Sequence, residues 1–281
     1  MQLIDGKSLA NKIHTQVANE VEKLKQEQNI VPGLAVILVG DDPASHAYVK
    51  MKAKACEKVG FYSITHNMPD TISQDEIIAT IEMMNNNPRI DGILVQLPLP
   101  KHIDTNKILE VIDPKKDVDG FHPYNVGRLA TNLDGFVPCT PLGVMKMFEE
   151  YDIDLEGKDV CVVGASNIVG KPMAALLLNA NATVTITHIY TKDLKAHTSK
   201  ADIVIVGVGV PALIKEDMVK DGAIVIDIGI NRLEDGSLVG DVDFANVSEK
   251  CSHITPVPGG VGPMTIAMLL ANTLKSAQQR D

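Results

Sequence analysis

Short apolar runs rich in β-branched residues alternate along this chain with longer stretches whose apolar side chains recur every three or four positions. From Ser8 to about Gln28, Leu9, Ile13, Val17, Val21 and Leu24 fall on one helical face, with Ser8 as the expected N-cap. Leu34-Ala35-Val36-Ile37-Leu38-Val39 has no polar member, the pattern of a strand buried on both faces, and Gly40 ends it. A helix is expected over 44–59, with Gly60 as its left-handed terminator. A weaker strand follows over 63–67, then a helix over 74–86 opened by a Ser73/Glu76 capping box. The run 92–97 predicts a further strand, halted by Pro98 and Pro100, and 105–112 another helix. This β-α-β-α-β order is that of parallel strands joined by crossover helices.

Between Asp113 and Pro141 the pattern breaks into Asp, Gly, Pro and Asn, which is where a domain change is expected. A connecting helix over 142–151 leads into a second alternation. Strands are expected at 159–163, 183–187, 202–206 and 223–227, with a helix starting at Pro172 and a terminal helix from Met264 to about Ala277. At 281 residues, about two domains are expected.

Composition narrows the function. Hydrophobic residues make up 45% of the chain, enough for a sizeable core, so a disordered chain is excluded. The 26 Lys+Arg and 36 Asp+Glu leave a net charge of −10, which argues against a nucleic-acid partner. Any anionic ligand must be held by local groups. Four dispersed cysteines offer neither a zinc site nor a disulfide framework, and the scattered histidines (His14, His66, His102, His253) form no metal-ligand pair, so no metal is expected. The stretch from Cys251 to Leu274 carries no charge, yet its prolines and glycines cannot form one continuous membrane helix. With no signal peptide evident, a cytoplasmic protein without a membrane partner is expected.

Val163-Gly164-Ala165-Ser166-Asn167-Ile168-Val169-Gly170-Lys171-Pro172 is a strand–turn–helix junction. Glycine there lets main chain approach a phosphate, and a helix N-terminus supplies amide donors. A P-loop is excluded, because five residues separate Gly164 from Gly170 and a proline follows Lys171. The dinucleotide fingerprint is met only partly: Ser166 holds the second glycine position and the last glycine comes one residue late. A purely structural turn remains the alternative. The following strand ends in Thr187-His188-Ile189-Tyr190-Thr191-Lys192, with no acid before Asp193. A 2′-phosphate is therefore not repelled, and His188, Thr191 or Lys192 could neighbour it, which tilts the cofactor toward NADP over NAD. The same residues could simply cap a strand.

Tyr48 and Lys52, four apart, share one face of an expected helix. Together with Gly40-Asp41-Asp42-Pro43-Ala44-Ser45, Val95-Gln96-Leu97-Pro98-Leu99-Pro100, Lys116-Asp117-Val118-Asp119-Gly120 and Pro256-Val257-Pro258-Gly259-Gly260-Val261-Gly262-Pro263-Met264-Thr265, they resemble the bifunctional methylenetetrahydrofolate dehydrogenase/methenyltetrahydrofolate cyclohydrolase (FolD) family over nearly the whole chain. The resemblance implies two α/β domains with a cleft between them: a folate-binding catalytic domain over 1–119, with the C-terminal helix 265–281 packing back on it, and a Rossmann-like NADP-binding domain over 120–281. It implies oxidation of 5,10-methylenetetrahydrofolate by NADP+ and hydrolysis of the product to 10-formyltetrahydrofolate. Tetrahydrofolate derivatives would be the substrates and a homodimer the assembly.

By the same resemblance, Lys52 is the catalytic lysine of the hydrolysis, Gln96 tunes it, Tyr48 positions the folate ring and Asp119 accepts hydrogen bonds from the pterin. The substrate would be lined by Tyr48, Val49, Lys50, Met51 and Lys52, by Val95, Gln96 and Leu97, by Asp119, and by Pro258, Gly259, Gly260, Val261 and Gly262. Gly164, Ala165, Ser166, His188, Ile189 and Ile230 would contact the cofactor. Some relatives carry arginine at the position of Ala165 and serine at that of Ile189, both favouring the 2′-phosphate. A monofunctional dehydrogenase and a non-catalytic dinucleotide sensor are the alternative functions. Retention of both Lys52 and Gln96 disfavours the first, and the Tyr48/Lys52/Gln96/Asp119 set is unexplained by the second.

Overall fold

In the computed structural model, which describes residues 1–280, the chain forms two compact units that interleave in sequence. One comprises Asn11–Arg128, Asp134–Cys139 and the chain from Ile266 on; the other comprises Met1–Ala10, Leu129–Leu133 and Thr140–Thr265. Each has its own parallel sheet, so the mixed α/β class expected from the alternating pattern is found.

In chain order the elements are β1 (Gln2–Leu3), α1 (Gly6–Gln28), β2 (Gly33–Val39), α2 (Pro43–Val59), β3 (Tyr62–Met68), α3 (Gln74–Asn85), β4 (Gly92–Val95), α4 (Thr105–Val111), α5 (Pro123–Ala130) and α6 (Cys139–Glu150). There follow β5 (Asp159–Val163), α7 (Gly170–Asn179), β6 (Thr183–Thr187), α8 (Leu194–Thr198), β7 (Ile203–Val206) and β8 (Ile224–Asp227). The chain ends with β9 (Asn231–Arg232), β10 (Leu238–Val239), α9 (Phe244–Val247), β11 (His253–Ile254) and α10 (Val261–Gln278).

The first unit is built on a three-stranded sheet of order β3-β2-β4. Every residue of β2 is buried, as a central strand covered on both faces must be. Ala35, Ile37 and Val39 point to one face, where Ile77, Ile81 and Met84 of α3 and Ile108 of α4 close over them. Ser73 and Glu76 make the reciprocal capping box that the sequence signals.

The other unit holds a six-stranded sheet, β1-β11-β8-β7-β5-β6, with all pairs parallel. Four of these strands are legible in the sequence, three as apolar runs and β6 as an alternation of threonine with Val184 and Ile186. The other two, β1 and β11, are two residues long and carry no periodicity to detect. They explain why the first ten residues belong to this unit: Gln2 and Leu3 pair with His253 and Ile254.

Several expected boundaries are corrected. The cap of α1 is Asp5, not Ser8: the Asp5 carboxylate accepts the Ser8 amide (3.0 Å) and hydroxyl (2.6 Å), so the helix starts at Gly6. Strand β4 stops at Val95, leaving Gln96 and Leu97 outside it. Pro172 is the third residue of α7, which Gly170 begins. Helix α10 begins at Val261, three residues before Met264, and α5 lies inside the stretch expected to be irregular.

The end of α10 is tied into the first unit through a buried carboxylate. Arg280 meets Asp91 with Nε on Oδ1 (2.9 Å) and a terminal nitrogen on Oδ2 (2.5 Å), and Asp91 also accepts the Gly33 amide (2.7 Å). Asp91 is 4% exposed, so removing the guanidinium strands a charge away from water. Arg280→Ala is expected to cost about 3 kcal/mol, read as a lowered midpoint in urea unfolding followed by circular dichroism. An unchanged midpoint would refute this account of the anchor.

Candidate functional site

Gly40 to Ser45 builds the start of α2. The Asp42 carboxylate accepts the Ser45 amide (2.8 Å) and hydroxyl (2.7 Å), Pro43 occupies the first turn, and Gly60 closes the helix at φ 83°. Helical spacing then puts Tyr48 and Lys52 on one face, while Val49 and Cys56 turn into the core. Lys50 is exposed and lies roughly 200° around the helix from Tyr48, so α2 does not bring it to that face; Met51 is half exposed.

Lys52 is only 5% exposed. Its Nζ donates to Gln96 Oε1 at 3.1 Å and sits 4.5 Å from the centre of the Tyr48 ring. The other end of the Gln96 amide donates to the Leu97 carbonyl (2.8 Å), and this fixes the oxygen toward the lysine. Burial pulls the Lys52 ammonium below its ordinary pKa, with the Asp119 carboxylate pulling the other way. Asp119 mirrors it: burial raises its carboxyl, while Lys52 and the Cys139 thiol act to lower it. Cys139 is pushed well up, by burial first and Asp119 second, so its thiol stays protonated as a donor. Tyr48, Lys52, Gln96 and Asp119 thus form one electrostatically coupled group within the first unit.

The loop bearing Asp119 is held from three sides. Asp117, 1% exposed, accepts the amides of Phe121 (3.1 Å) and His122 (2.9 Å) and the side chain of Asn125 on α5 (2.8 Å). Gly120 has φ 74°, and a Cβ there would lie 2.5 Å from the Pro138 nitrogen. The Asn272 amide on α10 donates to the carbonyls of Val118 (2.8 Å) and Val137 (3.1 Å), and the Cys139 thiol also donates to Val118 (3.3 Å). Asn125, Cys139 and Asn272 are site residues that the sequence reading missed. Asn272 did leave a signal: it is an amide directly after the apolar run Met268-Leu269-Leu270-Ala271, and a buried amide needs partners.

In the six-stranded unit, Gly164 follows β5 at φ 119°, a conformation suited to glycine. Gly170, one residue late for the dinucleotide fingerprint, is the close-packing glycine: a Cβ there would lie 2.0 Å from the Gly164 carbonyl oxygen. Ser166 Oγ accepts the amides of Val169 (3.1 Å) and Gly170 (3.4 Å), capping α7. At the end of β6, His188 Nδ1 accepts the Tyr190 amide (3.2 Å), which puts the proton of a neutral imidazole on Nε2. Ile189 is 91% exposed. Asp193, the first acid after β6, caps α8 through the Ala196 amide (3.0 Å). This turn, helix start and acid-free strand end fit a dinucleotide bearing a 2′-phosphate.

Ile230, exposed after β8, approaches the first turn of α10: a Cβ on Gly262 would lie 3.3 Å from the Ile230 side chain. In the loop before α10 the Val257–Pro258 bond is cis and Gly259 has φ 104° and accepts the Lys7 amide (2.9 Å), while Val261, which opens the helix, is buried. Within this unit, therefore, Ile230 and Gly262 are neighbours. Two buried carboxylates beneath the ends of β7 and β8, Asp227 and Asp241, were not signalled by the sequence reading. Among the described residues no group of His, Cys, Asp and Glu is placed to hold a metal, and no helix is long and apolar enough to cross a membrane.

Two family models match the chain: "Tetrahydrofolate dehydrogenase/cyclohydrolase, catalytic domain" over residues 4–119 and "Tetrahydrofolate dehydrogenase/cyclohydrolase, NAD(P)-binding domain" over residues 138–281. The chain is 88% identical over 280 residues to the bifunctional protein FolD of Sulfurovum sp. (strain NBC37-1), covering all of both chains. It is similar to the crystal structure of the bifunctional enzyme FolD from Campylobacter jejuni, with TM-score 0.98 and 58% identity over the full length of each. The Trypanosoma brucei FolD structure, complexed with NADP cofactor and inhibitor, matches at TM-score 0.95 and 37% identity, covering 99% of this chain and 97% of that one.

The coupling of Lys52 to Asp119 has a measurable sign. Because the carboxylate favours the ammonium, Asp119→Asn is expected to lower the Lys52 pKa further. Peptide mapping after brief acylation across a pH series should find Lys52 modified at lower pH in the variant. A shift toward higher pH would contradict the electrostatics described.

Proposed function

The chain belongs to the bifunctional methylenetetrahydrofolate dehydrogenase/methenyltetrahydrofolate cyclohydrolase family, and from that membership we propose how its residues divide the work. It oxidises 5,10-methylenetetrahydrofolate to 5,10-methenyltetrahydrofolate with NADP+ and hydrolyses the product to 10-formyltetrahydrofolate. We assign the folate-binding catalytic role to residues 1–119 with the C-terminal helix, and NADP binding to 120–281.

The observation that carries the assignment is the buried Lys52 amine, bonded to Gln96 and coupled to Asp119. A lysine near pKa 10.4 is a poor base at neutral pH, and burial moves Lys52 in the direction this chemistry needs. In hydrolysis, water adds to the cationic bridge carbon and passes one proton to the neutral Lys52 amine. The ammonium returns that proton to N5 as the carbon–N5 bond breaks, and the remaining hydroxyl proton leaves to solvent as the formyl carbonyl forms. Gln96 holds the amine in place during both transfers. Asp119 accepts hydrogen bonds from the pterin's amino and ring nitrogens, and Tyr48 sets the plane of the ring. We also assign substrate contacts to Met51, Val95, Leu97 and Pro258 to Gly262, while Val49 and Lys50, turned away on α2, are left out.

Bound NADP+ supplies the hydride acceptor. The folate nitrogen lone pairs expel the hydride, so no protein acid or base is needed at the carbon, and the chain's task in that step is orientation. For this we assign Gly164, Ala165 and Ser166 to the phosphates, His188 and Ile189 to the 2′-phosphate end, and Ile230 to the nicotinamide end.

We further infer a homodimer in the cytoplasm. Strand β6 supports the first point as an outer edge of its sheet with Ile186 40% exposed, and four free, buried thiols support the second. Lys52→Met is expected to lower cyclohydrolase turnover by about 10²-fold or more. Hydrolysis is followed as loss of methenyltetrahydrofolate absorbance, with NADPH formation measured separately. Full cyclohydrolase turnover in that variant would end the lysine assignment, and faster turnover with NAD+ than with NADP+ would overturn the cofactor reading.

A further inference from the structure

The strand ends that carry the proposed nicotinamide contact stand on a pair of buried carboxylates with no part in the chemistry above. Asp241, 0% exposed, accepts the amides of Val208 (2.6 Å) and Gly209 (2.9 Å) on one oxygen and the side-chain amide of Asn231 (2.8 Å) on the other. Val208 and Gly209 lie in the loop after β7, and Asn231 opens β9 directly after Ile230, where the chain leaves β8. One carboxylate therefore ties together the carboxyl-end loops of two adjacent parallel strands, the location where α/β sheets bind ligands. Asp227 fixes Asp241 in turn: it accepts the backbone amides of Asp241 (3.0 Å), Val242 (2.9 Å) and Gly229 (2.9 Å).

The two acids fit together through glycine. A Cβ on Gly229 would lie 2.3 Å from the Asp241 carboxyl carbon, and one on Gly240 would lie 1.9 Å from a carboxylate oxygen of Asp227. Above this rigid base, apolar side chains face outward: Val208 is 39% exposed, Val210 46% and Ile230 56%. A loop pinned so firmly could have turned these side chains inward. Left outward, these apolar side chains are available to the face of a planar ring.

We propose that Asp241 is a positioning residue for the dehydrogenase half of the reaction, clamping the β7 and β8 loops so that Val208 and Ile230 present a preformed ledge to the nicotinamide ring. The proposal rests on the NADP-dependent reading above and adds the residue that sets cofactor geometry. Because the clamp serves the nucleotide and not the folate, it divides the two activities. Loss of the clamp raises the cost of ordering the ledge on binding, which weakens NADP+ while leaving hydrolysis of supplied methenyltetrahydrofolate intact.

Asp241→Asn retains the shape but replaces one of the two acceptor oxygens with a donor, which conflicts either with the loop amides or with Asn231. Asn231→Leu removes only the β8 side of the clamp. For both variants, NADP+ affinity is measured by calorimetry, NADP+ KM by dehydrogenase rates, and cyclohydrolase turnover on methenyltetrahydrofolate without nucleotide. In Asp241→Asn, NADP+ Kd and KM are expected to rise about tenfold, with a smaller rise in Asn231→Leu. Cyclohydrolase turnover is expected to stay within about twofold of the unmutated protein. NADP+ affinity unchanged in Asp241→Asn overturns the proposal. So does an equal loss of both activities in that variant, the result of a merely structural role, unless Asn231→Leu weakens NADP+ selectively. If the unmutated protein oxidises methylenetetrahydrofolate with neither nucleotide, the underlying functional reading fails instead.

Discussion

A lysine amine drawn out of water must either lose its proton or find a counter-charge, and the first unit is organised around keeping both options open at Lys52. Burial favours the neutral amine and Asp119 favours the ammonium. Burial is the larger influence on the amine, which is held below its ordinary pKa, and burial also raises the carboxyl that opposes it. A lysine shifted in this direction lies closer to the range of a proton carrier than an exposed one does. The balance depends on distance, so the support around it is dense. The capped α2 fixes the lysine, the Gln96 amide is pinned by Leu97, and Asp117, Asn125, Cys139 and Asn272 hold the loop of Asp119.

Polar groups buried for positioning recur in the six-stranded unit with the opposite outcome for chemistry. Asp227 and Asp241 receive backbone and amide donors, and neither pairs with a lysine or arginine among the described residues. Burial pushes the Asp227 carboxyl up to about 6, even against the donors that lower it. These acids act as fixed acceptors for loop amides. Glycine makes the arrangement possible, since Gly229 and Gly240 leave room for carboxylates where any side chain would collide. Gly170 does the same for the turn of Gly164.

Elements with a strong local period were legible from the chain. The unbroken apolar run of β2 and the Ser73/Glu76 box of α3 needed no tertiary information. Where two equivalent local solutions exist, local reading fails: Asp5 and Ser8 are both good caps, and only the geometry shows the carboxylate of one taking the amide of the other. Helix α5, Pro-Tyr-Asn-Val-Gly-Arg-Leu-Ala, looks irregular because its Asn and Gly are poor helix formers, and Asn125 is kept there by its bond to Asp117. The site divides along the same line. Tyr48 and Lys52 are one helical turn apart and readable as a pair. Asp241 binds loops some 10 and 30 residues away, a relation that no local pattern encodes.

Cofactor choice illustrates how selectivity can be written by omission. The end of β6 has neither the carboxylate that would bond a ribose 2′-hydroxyl nor an arginine to grip a phosphate, and Ala165 and Ile189 add no charge. The first acid, Asp193, is spent on the α8 cap. A carboxylate at this point would repel a 2′-phosphate, so its absence alone removes the main obstacle to NADP+. What the turn offers in its place is milder: an imidazole whose Nδ1 is taken by a backbone amide, leaving Nε2 as the donor, next to a chain that continues into Thr191 and Lys192. A turn of this kind commits no buried charge at the point where a 2′-phosphate would sit.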